Sequence, residues 1–134
     1  MTRNEQLVLD VLAQAMAPLS AYQILDRLRP CGLRGPMQVY RALDHLCASG
    51  LVHRLESLKA FIACPHPGAI DHLPGYAICE HCMAVAEIDV GHFRSLLRDI
   101  CTQSGFWATS TTIEIRGLCG KCAARPASHS SKVA

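Results

Sequence analysis

The stretch PMQVYRALDHLCASGLVHRLESLKAFIA, Pro36 to Ala63, decides the fold. Val39, Ala42, Leu43, Leu46 and Cys47 recur at helical spacing and make one apolar stripe. Pro36 suits the first turn of that helix, where the N–H that proline lacks would have no partner anyway. Gly50 ends it. Two short apolar runs follow, Leu51 to Leu55 and Ala60 to Ala63, around a turn at Ser57 and Lys59, which is the pattern of a β-hairpin. Upstream, Leu7, Val8, Val11, Leu12 and Ala15 mark a first helix that Pro18 stops. Ser20 and Gln23 form a capping-box pattern ahead of a second, with Ala21, Ile24, Leu25 and Leu28 facing inward. Three helices and a hairpin of this length predict a winged helix over residues 1–63.

The third helix carries a second message on its other face. Gln38, Arg41 and His45 stand at i, i+3 and i+7, so they share an outward side, and an arginine there can grip the O6/N7 edge of guanine in a major groove. The same three residues would also suit an ordinary solvated helix face.

After Cys64 the chain changes character. PHPGAIDHLPG is rich in proline and glycine and reads as part of a linker over residues 64–75. Tyr76 to Ile78 and Val85 to Val90 have the look of strands. Phe93, Leu96, Leu97 and Ile100 recur as a helix that Gly105 stops, and Ile113 and Ile115 alternate with polar neighbours as a third strand. This β-β-α-β unit, residues 76–123, is too small to bury both faces of its sheet and is expected to pair with a second copy. The tail, 124–134, has no apolar period and is expected to be disordered. The fold class is α+β: an N-terminal winged helix plus a small C-terminal α/β dimerisation domain.

Two cysteine pairs of equal spacing bracket that second unit, Cys79 with Cys82 in CEHC and Cys119 with Cys122 in CGKC. A two-residue gap lets both thiolates of a pair turn toward one ion, and two such pairs complete the tetrahedral four-thiolate shell of a structural zinc site. A thioredoxin-like redox pair would account for one CxxC but not two, and disulfides need an oxidising compartment. Other ligand types gather around the linker: His53, Cys64, His66, His72 and Glu87. Taken together, His53, Cys64, His72 and Glu87 would give zinc two nitrogens, one sulfur and one oxygen. Two neutral imidazoles, one thiolate and one carboxylate balance the ion, whereas four thiolates carry two extra negative charges and donate more strongly. The four-cysteine site is therefore expected to stay loaded and the mixed site to exchange, giving two zinc ions per chain. Cys31, Cys47 and Cys101 have no such role, and Cys47 lies on a buried stripe.

Composition fits an intracellular chain of 134 residues, half of them apolar, with a net charge of only +2. Seven Arg and Lys face five Asp and Glu in the first 62 residues, a balance that permits DNA binding without arguing for it. MTRNEQLVLDVLAQ alternates charged and apolar residues at helical spacing, so it is neither a signal peptide nor a membrane span. A cytoplasmic protein is expected.

VYRALDHLCASGLVHRLES and FIAC, followed by CEHC and CGKC, resemble the ferric uptake regulator family, and most closely its zinc uptake regulator branch. The likeness runs from about Thr2 to Cys122. It implies a homodimeric, metal-dependent repressor that binds operator DNA, with no enzymatic activity. It implies structural zinc on Cys79, Cys82, Cys119 and Cys122, and regulatory zinc on His53, Cys64, His72 and Glu87. It places Arg41 on a base and Tyr22 near the backbone or a base; with the outward face of the third helix, the residues expected at the DNA are Tyr22, Gln38, Tyr40, Arg41 and His45. Three departures accompany it. The additional N-terminal helix usual before the segment that begins at Thr2 is missing, so its backbone contacts are not expected. Gln38 stands where threonine is usual. The histidine cluster of iron and peroxide sensors is reduced to His66 and His72, which disfavours a peroxide sensor, and the thiolate of Cys64 points to zinc. The alternatives are a sensor of iron, haem or redox state in the same family, for which Cys64-Pro65 and the surplus thiols speak, and an enzyme with Glu87 as base beside a catalytic zinc, which a site with four protein ligands disfavours by leaving no position for water.

Overall fold

The computed structural model describes residues 1–65, 73–109 and 111–124, and its contacts divide the chain into two compact units, Met1–Asp71 and His72–Ala134. No helix among the described residues is long and apolar enough to cross a membrane.

The first unit holds α1 (Arg3–Gln14), α2 (Ala21–Leu28), α3 (Pro36–Ala48) and the hairpin β1 (Val52–Leu55) with β2 (Ala60–Ala63). Each helix starts where local chemistry satisfies its unpaired N–H groups. The Thr2 hydroxyl accepts from the Glu5 N–H at the head of α1. Ser20 and Gln23 exchange bonds as a capping box at α2. At α3 the Gln38 side-chain oxygen accepts from the backbone N–H groups of Arg34 and Gly35, at 2.8 and 3.4 Å. Val8, Leu12, Ile24, Leu25, Leu28, Val39, Leu43 and Leu46 interlock as one core, closed from below by Val52 and Phe61. The hairpin is antiparallel with His53 opposite Ile62, and Leu19 bridges to Phe61 as a short third strand. This is the winged helix that the sequence predicts. Gly32, at φ 102°, makes the left-handed turn between α2 and α3 that a side chain would strain.

The second unit holds β3 (Gly75–Cys79), β4 (Val85–Glu87), α4 (Arg94–Gln103), β5 (Ile113–Gly117) and the short α5 (Gly120–Ala123). The sheet order is β4-β3-β5, with β3 antiparallel to β4 and parallel to β5, so α4 is the crossover between parallel strands. β4 stops at Glu87, three residues short of the expected Val90. The Asp89 carboxylate accepts from the Gly91 N–H at 3.0 Å and turns the chain into a 3₁₀ segment at Gly91–Phe93. Gly75 is required by close approach: a Cβ there would lie 2.8 Å from the Val90 side chain. Tyr76, Ile78 and Val90 are buried, but α4 buries none of its residues, and Phe93, Leu96, Ile100 and Ile115 remain about half exposed.

Candidate metal centre and DNA-facing helix

Two turns in the second unit carry the four cysteines. Cys79 closes β3, and the chain reverses at once: the Met83 N–H donates to the Cys79 carbonyl and the Cys79 N–H to the Ala84 carbonyl, with Met83 at φ 64°. The second pair sits where β5 runs out into α5, Cys119 at the helix start and Cys122 inside it. The parallel pairing of Cys79 with Gly117 brings these two turns to one end of the sheet, and the Glu80 N–H fastens them by donating to the Gly117 carbonyl at 2.8 Å.

The four sulfurs all lie within 4.8 Å of one another, and Cys82 Sγ is 3.7 Å from Cys119 Sγ. A tetrahedron with Zn–S bonds of about 2.3 Å has edges of about 3.8 Å, so the spacing matches one four-coordinate ion. It is far too wide for a disulfide bond of about 2.05 Å, and all four thiols are free. Their electrostatics agree. The backbone N–H groups of Cys119 and Cys82 point at Cys79 and bring its thiol down to about 5. The Cys122 N–H likewise lowers Cys119. Burial, and then the neighbouring sulfurs of Cys119, Cys79 and Cys82, push Cys122 up to about 12. Four sulfurs at this spacing cannot all become anionic without a cation among them, and a divalent soft-ligand ion is what the set suits.

The mixed set predicted from ligand types distributes over both units. His53 stands in β1 opposite Ile62, and Cys64 follows two residues after Ile62, so side-chain alternation puts both on one face of the hairpin. The Cys64 N–H holds that register by donating to the Leu51 carbonyl at 2.8 Å, and the thiol is buried. Glu87 ends β4 in the second unit. His72, like His66, the centre of the linker and the tail from 125 onward, lies outside the described residues.

Tyr22, Gln38, Tyr40, Arg41 and His45 are all on exposed surface of the first unit, the first on α2 and the others on α3, opposite the buried stripe. Two of them have intramolecular work that spacing alone does not reveal. The Gln38 oxygen is committed to the backbone ahead of α3, which leaves its NH₂ as what it can offer outward. His45 Nδ1 lies 3.1 Å from a carboxylate oxygen of Glu5 on α1. Sequence reading passed over Glu5, although Thr2 and Glu5 have the spacing of an N-terminal capping pair.

No family model matches the chain. It is 33% identical over 116 residues to the zinc uptake regulation protein of Escherichia coli (strain K12), a match covering 86% of this chain and 68% of that protein. The solved structure of holo XcZur superposes with a TM-score of 0.80 at 40% identity, covering 92% of this chain and 86% of that one. That of a zinc uptake regulator complexed with zinc and DNA gives a TM-score of 0.81 at 32% identity, covering 91% and 82%. These likenesses span both units and reach past the identity at which only a fold is shared, so the chain belongs to the ferric uptake regulator family, in its zinc uptake regulator branch.

Proposed function

We propose that this protein is a zinc-responsive repressor that binds operator DNA as a homodimer in the cytoplasm, and that each chain holds two zinc ions. The observation that carries the reading is the cluster of four sulfurs in the second unit, together with a winged helix in the first whose third helix exposes Arg41, in a chain whose relative was solved with zinc and DNA. The reading is of a regulator and not an enzyme.

Cys79, Cys82, Cys119 and Cys122 are the structural site. They join the two ends of a unit whose own core is thin, and an ion there supplies the cross-link that few buried side chains can supply. A second copy supplies what else that unit lacks. β5 is an edge strand, and Ile115 on it and Leu96 and Ile100 on α4 are half exposed, as expected of a surface that pairs with itself.

His53, Cys64, His72 and Glu87 are the regulatory set in this reading. Zinc held by them would link the winged helix to the second unit and limit the orientations the two recognition helices can take. In a two-fold dimer those helices must meet successive major grooves about 34 Å apart, so the operator is a pseudo-palindrome. Metal and operator binding are then reciprocally coupled, by about 1 to 3 kcal/mol per linked equilibrium. Arg41 reads a base, and Tyr22, Gln38, Tyr40 and His45 contact the backbone or neighbouring edges.

Selection from a randomised duplex pool by the zinc-loaded protein, together with metal analysis, tests this. Two zinc ions per chain and enrichment of a pseudo-palindromic duplex are expected. Iron or a haem absorption band in the purified protein, or no enrichment, would contradict it.

A further inference from the structure

The first turn of α1 holds the turn ahead of α3 at one place and α3 itself at another. The Arg3 guanidinium donates to the Cys31 carbonyl at 3.0 Å, in the turn that leads to α3. Glu5 Oε2 accepts from the Thr2 hydroxyl at 3.0 Å and stands 3.1 Å from His45 Nδ1, well inside α3. The carboxylate is the inner member of that pair, with its side chain 14% exposed, and the imidazole is the outer one at 71%. An ionised carboxylate only accepts, so the shared hydrogen belongs to Nδ1. The hydrogen bond from His45 is also the main cause that holds the Glu5 carboxyl below its ordinary range.

Fixing Nδ1 on Glu5 fixes the rest of the ring. The edge bearing Nε2 is left for a ligand, and its role follows from the tautomer that Glu5 imposes: an acceptor when the ring is neutral, a donor when it is protonated. An exposed histidine on a helix otherwise samples several rotamers, and a contact to DNA must first remove that freedom. Surface pairs of this kind add little to folding stability, so the consequence of the pair falls on recognition.

We propose that Glu5 is a positioning residue for operator binding, acting through His45 by holding the imidazole edge that bears Nε2 toward the DNA. The inference rests on the reading of α3 as the DNA-facing helix, and goes beyond it by assigning a role to a residue of α1 that does not itself touch DNA. Immobilising one side chain in advance corresponds to an affinity gain of about two- to tenfold.

The test uses the full-length, zinc-loaded protein and the duplex recovered by selection, with a scrambled duplex as reference. Affinities are measured by fluorescence anisotropy for wild type, Glu5→Ala, Glu5→Gln, His45→Ala and the Glu5→Ala/His45→Ala double variant. The His45 tautomer is read separately by nitrogen NMR on DNA-free protein. Because the dimer carries the pair twice, Glu5→Ala should lose about fourfold to a hundredfold on the selected duplex. Glu5→Gln, whose amide oxygen still accepts from Nδ1–H, should retain most of the affinity. Glu5→Ala should add nothing on the His45→Ala background, and the ring should leave the Nδ1–H tautomer in Glu5→Ala alone. Equal affinity of Glu5→Ala and wild type, or losses that add in the double variant, overturns the proposal while leaving the repressor reading standing. A wild type without preference for the selected duplex overturns both, and the tautomer then reports only whether the Glu5–His45 bond exists.

Discussion

Replacing Arg41 by alanine separates base reading from charge. Arg41 is exposed on α3, while the core stripe of that helix consists of Val39, Ala42, Leu43 and Leu46, so the substitution removes no buried surface. Alanine is also the better helix former, and the melting temperature of the winged helix should be unchanged. One bidentate arginine–guanine pair contributes about 1 to 3 kcal/mol of discrimination. A two-fold dimer on a pseudo-palindrome makes the contact twice, so the loss on the selected duplex should be about 2 to 6 kcal/mol, or roughly thirtyfold to more than ten-thousandfold. On a scrambled duplex only charge is lost. That loss should be small and should vanish as salt rises, because one phosphate contact changes the salt slope by about one unit per protomer. Anisotropy titrations of both proteins on both duplexes, at two salt concentrations with zinc present, give the four numbers needed. Equal losses on the two duplexes would refute base reading and make Arg41 a phosphate contact.

Cys119→Ser should lose the structural zinc and, with it, the dimer and much of the soluble protein, measured by metal analysis and size-exclusion chromatography. Cys31→Ser, at an exposed thiol outside the cluster, should lose none of these, and a zinc-loaded, dimeric Cys119→Ser protein would contradict the assignment. His72→Ala and Cys64→Ser should keep the dimer and the first zinc while weakening zinc-dependent DNA binding; an unchanged zinc response in both removes these residues from regulation. Without metal, Cys79 ionises near pH 5 but Cys122 keeps its proton to about pH 12, so zinc uptake at neutral pH must expel the Cys122 proton and must weaken as pH falls. Calorimetry in buffers of different ionisation enthalpy should show net proton release, and none would speak against four-thiolate ligation. Leu43→Ala, at a fully buried position, should cost about 2 to 5 kcal/mol of winged-helix stability in denaturant unfolding; a loss below about 1 kcal/mol would show that the core closes around the gap.

The elements that repeat a simple period were legible in the chain. The stripe from Val39 to Leu46, the Ser20 and Gln23 cap and the hairpin ending at Ala63 depend on neighbours within a few residues, and they occur where the spacing puts them. The four-cysteine centre was legible for a similar reason, since each CxxC is local and only their meeting depends on the fold. What spacing could not show is non-local or made of single side chains. The parallel pairing of β3 with β5 joins residues almost forty positions apart in sequence. β4 ends early because one carboxylate, Asp89, turns the backbone. Gln38 and His45 share an outward face by periodicity, yet one caps its own helix and the other meets Glu5 on α1, which no pattern within α3 encodes.

The central claim is that zinc switches DNA binding on. Affinity for the selected duplex should therefore be measured on protein that retains its four-cysteine zinc, in the presence of a chelator and then as free zinc is raised, with iron, manganese and nickel compared. The account predicts a large gain in affinity with zinc, a smaller response to the other metals at equal free concentration, and loss of the gain in His72→Ala. Tight, selective binding that persists in the chelator, or a stronger response to iron than to zinc, would contradict it.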